Sequence, residues 1–597
     1  MLAQIDQVAD KTFDYVVLSG LVVATRLSED PALSILVLEA GQANLGDPAI
    51  LSPLKVQSHF GDEKYDWNYK TTAQSGLGGE TLTWPRGKGL GGSSAINFMQ
   101  YHLPPRSDVD AFEKLGNKGW NWERLRPYYL KCENFVPPVS TVDAVSFDES
   151  QHGKDGPITV SYSNAWSNLE TPFMQTMESL GIPRVKEPIN GTWITPVNID
   201  PKTGLRSYVA NGYYEPASER PNLLVLSEAN VVRVETANST EGQPLVASSV
   251  AFLYQDRLTH VSIGKEVILS AGYILELSGI GDEKVLSKAG VALKHALPGV
   301  GNNAQEHVRV FAAFEMRDDP ENKYQTLDFL RNPEEVARHF ETYKATLSGP
   351  LALFPVTLSF SPLSAISPDH AKIKDELRAS LSRAATSGKY SAAVQKQHAI
   401  QLAHIKDNDP SCELCFYGGA FPIPGTPQPE ANRKYVSVTF LTNHPFSRGS
   451  IHISNGDPST PADIDPEYFS EQYDLDVLVE GIKFTRRVMQ TEPLKSIVSD
   501  VELCPGPGYE TDEKIAEFVK KTLSTTFHTA GTCSMLPLED DGVVDNDLKV
   551  YGTENIRVVD ISIVPLQISA HLQTTAYAIG EVGMLLTTSD ALALGQS

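Results

Sequence analysis

Three apolar runs near the start of the chain constrain its fold more than any other feature. Phe13–Leu18 reads as a strand, Leu21–Leu27 has helical spacing, and Leu33–Leu38 reads as a second strand ending in Glu39-Ala40-Gly41. Strand, helix and strand in so short a stretch predict a βαβ unit, and with it a largely parallel sheet covered by helices. Nucleotide-binding versions of this unit join the first strand to the helix by a glycine-rich turn, G-x-G-x-x-G. They end the second strand in an acidic residue that binds a ribose hydroxyl. Glu39 holds the acidic position, although a lone carboxylate there is as readily a surface group. Where the turn belongs, the chain has only Ser19-Gly20.

At 597 residues the chain exceeds what one core supports and predicts two closely packed lobes. A net charge of −24 disfavours nucleic acid and anionic membrane as partners, since both require a concentrated positive surface. The expected partner is a small-molecule substrate, and the oligomeric state stays open. Met1–Gln7 lacks a basic start followed by an apolar core, and no run approaches the roughly 18 apolar residues of a membrane helix. A cytoplasmic protein is expected. Sequons at Asn190 and Asn238 would matter only in a secreted chain. Five cysteines argue against a disulfide framework. Cys412-Glu413-Leu414-Cys415 has redox or zinc spacing but no second pair nearby, so structural thiols or one local disulfide are expected and no metal site.

Further along, residues 220–272 show alternating strand patterns that should return to the first sheet. Residues 305–500 read as an α+β lobe, with strands near Tyr435–Phe440 and Gly449–Ile453 and an acidic helix at about Glu471–Met489. The end, Ile556–Asp560 followed by Thr574–Leu586, reads as a buried strand and a helix. Gly87-Lys88-Gly89-Leu90-Gly91-Gly92-Ser93-Ser94-Ala95-Ile96-Asn97 lets backbone approach a ligand closely and supplies hydroxyls to cap a helix. Two histidines sit in separate segments near the end, His528 before Gly531-Thr532-Cys533 and His571 after Ser569-Ala570. Histidine titrates near neutrality, which suits it to take and release a substrate proton. A lone histidine is more often structural.

Together with Leu38-Glu39-Ala40-Gly41, Tyr65–Tyr69, His444–Gly449 and Val559-Asp560-x-Ser562, these motifs resemble the glucose–methanol–choline (GMC) family of flavin oxidoreductases. The resemblance runs from about Phe13 to Leu586 with its landmarks in order. It implies an FAD-binding α/β nucleotide fold built from discontinuous segments, plus an α+β substrate domain with an antiparallel sheet. The implied division is 10–305 for FAD binding with embedded substrate-domain segments, 306–520 mainly substrate domain, and 521–597 returning to the FAD domain with the histidines. His571 is implied as the base on a substrate hydroxyl while hydride leaves to flavin, and His528 as the hydrogen-bond partner of the substrate oxygen. The cofactor-binding positions implied are Ser19, Gly20, Glu39, Gly91, Gly92, Ser93, Asn97, Val231, Asp560 and Leu572.

The chain departs from the family at two places on the cofactor side. The first turn is about four residues short of G-x-G-x-x-G, and after Gly272 the pair Tyr273-Ile274 joins directly to Leu275-Glu276-Leu277, without the family's Ser-Pro segment. A lesser difference is Gln305-Glu306-His307, where Asp more often precedes the histidine. Each amide contact to a charged phosphate is worth about 1.5–3 kcal/mol, and a helix end adds about 0.3–1 kcal/mol, so a lost turn bears directly on FAD affinity. Three readings follow: an FAD-dependent oxidation of an alcohol CH–OH group; a flavin-independent isomerase, cyclase or dehydratase of secondary metabolism using the same histidines; and a non-catalytic remnant.

Overall fold

The computed structural model describes residues 2–594 except 139–141, 187–189, 238–241, 271–272, 355–356, 407, 421 and 424, with side chains as far as residue 587. The sequon at Asn238 and Gly272 of the second short segment lie outside the described residues. The βαβ unit forms as read: β1 (Thr12–Leu18), α1 (Leu21–Leu27) and β2 (Ile35–Leu38), with β1 and β2 parallel. The two-residue turn closes because Ser19 takes a left-handed conformation at φ 66° and Gly20 presses against its neighbours. A Cβ on Gly20 would stand 2.8 Å from Ser270 Oγ and 2.9 Å from Val17 Cγ1. α1 therefore starts hard against the end of β1.

Around this unit the first sheet runs Leu223–Leu226, β2, β1, Arg257–Leu269, Ala247–Tyr254 and Ala229–Thr236, with Ile556–Val558 also pairing along Arg257–Leu269. Its nucleotide-binding half is parallel, and the last two connections are antiparallel. The final helix, Gln573–Leu594, packs across α1. Gly580 makes that closeness possible, because a Cβ there would lie 2.8 Å from Val22 Cβ.

The second sheet is antiparallel, in the order Val498–Cys504, β3 (Val308–Met316), β5 (Tyr435–Thr442), β4 (Cys412–Gly418), Thr357–Ser361 and Gly191–Ile194. Ser524–Thr525 pairs with β3, so this sheet reaches past residue 520. The helix expected near Glu471–Met489 spans Gln472–Met489 and covers the sheet. Each sheet has its own apolar core, and a cavity lies between them. No helix among the described residues is long and apolar enough to cross a membrane.

Candidate functional site

The cavity has a volume of about 1200 Å³, above the roughly 300–1,000 Å³ that holds one drug-sized ligand. It therefore has room for a cofactor and a substrate together. One end is walled by Ser19, Gly20 and the first turn of α1, the middle by Gly91, Gly92, Ser93, Asn97, Asp560 and Leu572. The far end is walled by His528, His571 and the second sheet's Arg309, Phe311, Cys415 and Tyr417.

His571 is held from behind. The Ser569 amide donates to Asp108 Oδ2 at 2.6 Å and the Ser569 hydroxyl to Pro410 O at 2.6 Å, fixing the segment just before the final helix. Asp108 in turn meets His444 Nε2 at 3.0 Å and His404 Nδ1 at 3.5 Å. Burial would raise the Asp108 carboxyl, but His444 and His404 hold it below the ordinary range. These three side chains bring ligand-type atoms within 4.8 Å of one another, and here they form a buried hydrogen-bond cluster that positions the His571 segment.

In front, His571 Nε2 stands 2.8 Å from Glu413 Oε1. Glu413 is fully buried on β4. Burial pushes its carboxyl up, yet the charge and hydrogen bond of His571 outweigh that and hold it below the ordinary carboxylate range. The sequence reading passed over Glu413, which lies inside the Cys412-x-x-Cys415 motif. Strand alternation places Glu413 and Cys415 on one face, and the Cys415 thiol donates to Glu413 Oε1 at 3.2 Å. All five cysteines are free thiols, so the pair is structural and no local disulfide forms.

His528 faces His571 with ring centroids 4.9 Å apart. Its amide donates to Glu306 Oε1 at 2.7 Å, and its Nδ1 meets Thr526 Oγ1 at 2.9 Å and His307 Nδ1 at 3.0 Å. Glu306, the residue of the minor sequence departure, thus anchors the backbone of His528. Burial first, then neighbouring imidazoles, hold His528 far below its usual pKa. Burial likewise lowers His307 to about 4 and, aided by His571, lowers His102 to about 3. His571 is therefore flanked by neutral imidazoles and paired with the buried carboxylate of Glu413.

Of the cofactor positions implied by resemblance, Ser19, Gly20, Gly91, Gly92, Ser93, Asn97, Asp560 and Leu572 line the cavity. Gly92, at φ 52°, has open space where a Cβ would stand, so backbone there is free to meet a ligand. Two positions do not line the cavity. Val231 is buried in the strand Ala229–Thr236 and Glu39 behind β2, both off the cavity wall. Glu39 Oε2 accepts from the Ser19 hydroxyl at 2.8 Å, and Oε1 accepts from the Gly41 and Gly89 amides at 2.9 and 3.1 Å. The short turn brings Ser19 onto the carboxylate where a ribose hydroxyl was expected, and burial raises the Glu39 carboxyl to about 7. The residues that would hold FAD in this cavity are Ser19, Gly20, Gly91–Ser93, Asn97, Asp560 and Leu572.

Family profiles described as GMC oxidoreductase match residues 13–309 and 445–580. Dehydrogenase citC of Monascus ruber is 33% identical over 603 residues, covering 95% of each chain. The GMC oxidoreductase family protein Mala s 12 of Malassezia sympodialis is 32% identical, covering 96% of this chain and 92% of its own. An FAD-dependent oxidoreductase from Chaetomium thermophilum matches with TM-score 0.86 at 27% identity, covering 97% of this chain and 99% of that one. A fungal aryl-alcohol oxidase matches with TM-score 0.81 at 26% identity and the same coverage. With the two-sheet architecture, the intervening cavity and the histidine pair in place, the chain belongs to the GMC oxidoreductase family.

Proposed function

We propose that this chain is an FAD-dependent oxidoreductase that oxidises the CH–OH group of a small aromatic alcohol. FAD is its cofactor and, when bound, accepts the hydride released from the carbinol carbon. The observation that carries the reading is the His571–Glu413 pair at one end of a continuous cavity whose other end is the first turn of α1. With Nε2 held by Glu413, Nδ1 of His571 is the nitrogen left to take the hydroxyl proton. The Glu413 carboxylate fixes the ring and balances the imidazolium that results, the division of labour of a general base and its orienting acid. His528, kept neutral, serves the substrate oxygen as a hydrogen-bond partner. The apolar wall of Leu327, Phe329, Leu351, Leu353 and Phe354 suits a ring, and the likeness to an aryl-alcohol oxidase supports the same substrate class.

A flavin-independent isomerase, cyclase or dehydratase would need only the histidines and Glu413. The room left for a cofactor and the FAD-dependent relative support the redox reading over it. Anaerobic benzyl alcohol should bleach the flavin absorbance of the FAD-loaded protein, and His571→Ala should slow that bleaching about 10²–10⁴-fold. A loaded flavin that no primary or secondary alcohol reduces would overturn the proposal.

A further inference from the structure

Arg309 lies on β3 in the cavity wall, in the antiparallel sheet away from the α1 end. Its guanidinium carbon is 4.8 Å from the centroid of Phe311 and 5.7 Å from that of Phe527. Two aromatic rings flank the cation, yet its buried Nε has no hydrogen-bond partner. The other arginine of the cavity wall, Arg86, has Glu306 Oε2 at 4.0 Å. Arg309 has no such ion pair among the described residues. The side chain is half-buried in the cavity wall, and a guanidinium partly withdrawn from water without a paired carboxylate is costly, a cost that aromatic faces offset only in part. Withdrawal from solvent presses the Arg309 pKa down, opposed by Tyr417, Cys415 and the more weakly acting carboxylate of Glu306.

Its place relative to the chemistry is set by a chain of contacts. Arg309 and Cys415 line the same wall and influence each other electrostatically. The Cys415 thiol lies 3.2 Å from Glu413 Oε1, which lies 2.8 Å from His571 Nε2. A planar cation whose Nε has no partner, flanked by two rings on the same wall as Cys415, suits a carboxylate carried on an aromatic substrate.

We propose that Arg309 is the anion-binding subsite of the substrate cavity and that the substrate is an aromatic alcohol bearing a carboxylate. This rests on the alcohol-oxidising reading and specifies its substrate. The FAD-loaded enzyme should oxidise para-(hydroxymethyl)benzoate with kcat/KM at least about tenfold above benzyl alcohol, the increment of one charge-assisted contact. Arg309→Met should erase that preference and Arg309→Lys restore part of it. Arg309→Glu should turn it toward para-(hydroxymethyl)benzylamine, a gain that a misfolded variant cannot show. A wild-type enzyme that prefers benzyl alcohol, or an Arg309→Met variant that keeps the carboxylate preference, would overturn the assignment. If none of these alcohols is oxidised, the redox reading fails, and benzoate binding by calorimetry then decides on Arg309 alone. Binding at least about tenfold weaker in Arg309→Met supports the subsite, and equal affinity overturns it.

Discussion

Glu413 is the residue that turns His571 from a plausible base into an oriented one. At 2.8 Å from Nε2 its carboxylate fixes the ring and favours the protonated form that arises when the substrate hydroxyl gives up its proton. Glu413→Gln keeps the shape and removes the charge, so flavin reduction should slow by at least about tenfold. Stopped-flow reduction of the FAD-loaded variant checks this, and an unchanged rate would contradict the role. His571 and His528 were legible from sequence because each sits in a distinctive local motif. Glu413 was not, since its meaning comes from a partner that only the fold brings near, and its flanking cysteines drew the reading toward disulfide or zinc chemistry. Glu39 is the converse case. Its motif was intact, but the shortened turn put the Ser19 hydroxyl on its carboxylate, a consequence of three-dimensional closure that spacing alone does not reveal.

At the level of elements, the βαβ unit and the closing helix were readable because apolar periodicity and the order of strand and helix leave few alternatives. The second sheet was readable only as a lobe. Its strands come from as far apart as Gly191–Ile194 and Ser524–Thr525, and such long-range pairing carries no local signal. The junction of α1 with the final helix is tightly packed. Gly580→Ala would place a methyl 2.8 Å from Val22 Cβ, an overpacking expected to cost about 1–3 kcal/mol. Val22→Ala in the same chain should recover part of that loss, since it removes the opposing methyls. Thermal unfolding of the single and double variants measures the coupling, and equal melting temperatures for Gly580→Ala and the parent would refute the close packing.

For the molecule as a whole, the site is a set of buried groups whose protonation is decided by the fold. His102, His307, His398 and His528 are all held below the ordinary histidine range, with burial the leading cause in each. A depressed histidine binds fewer protons folded than unfolded, so stability falls as pH drops below about 6.5. Glu39 and Asp474 are raised by burial, to about 7 and about 6, so their contribution is lost as pH rises and opposes the trend. His59, His295 and His339 are lowered by burial as well, Glu306 and Asp560 are raised by it, and each net proton is worth about 1.4 kcal/mol per pH unit. The melting temperature should therefore fall steadily from pH 7 to pH 5, and a flat or rising profile would contradict the buried neutral histidines. The cavity holds FAD despite the short first turn and the Ser19–Glu39 hydrogen bond. The most direct test is the absorption spectrum of the purified protein, with the cofactor released by acid and identified by chromatography. The expected result is a yellow protein carrying one FAD per chain, and a protein that is colourless and stays colourless with added FAD would contradict the account.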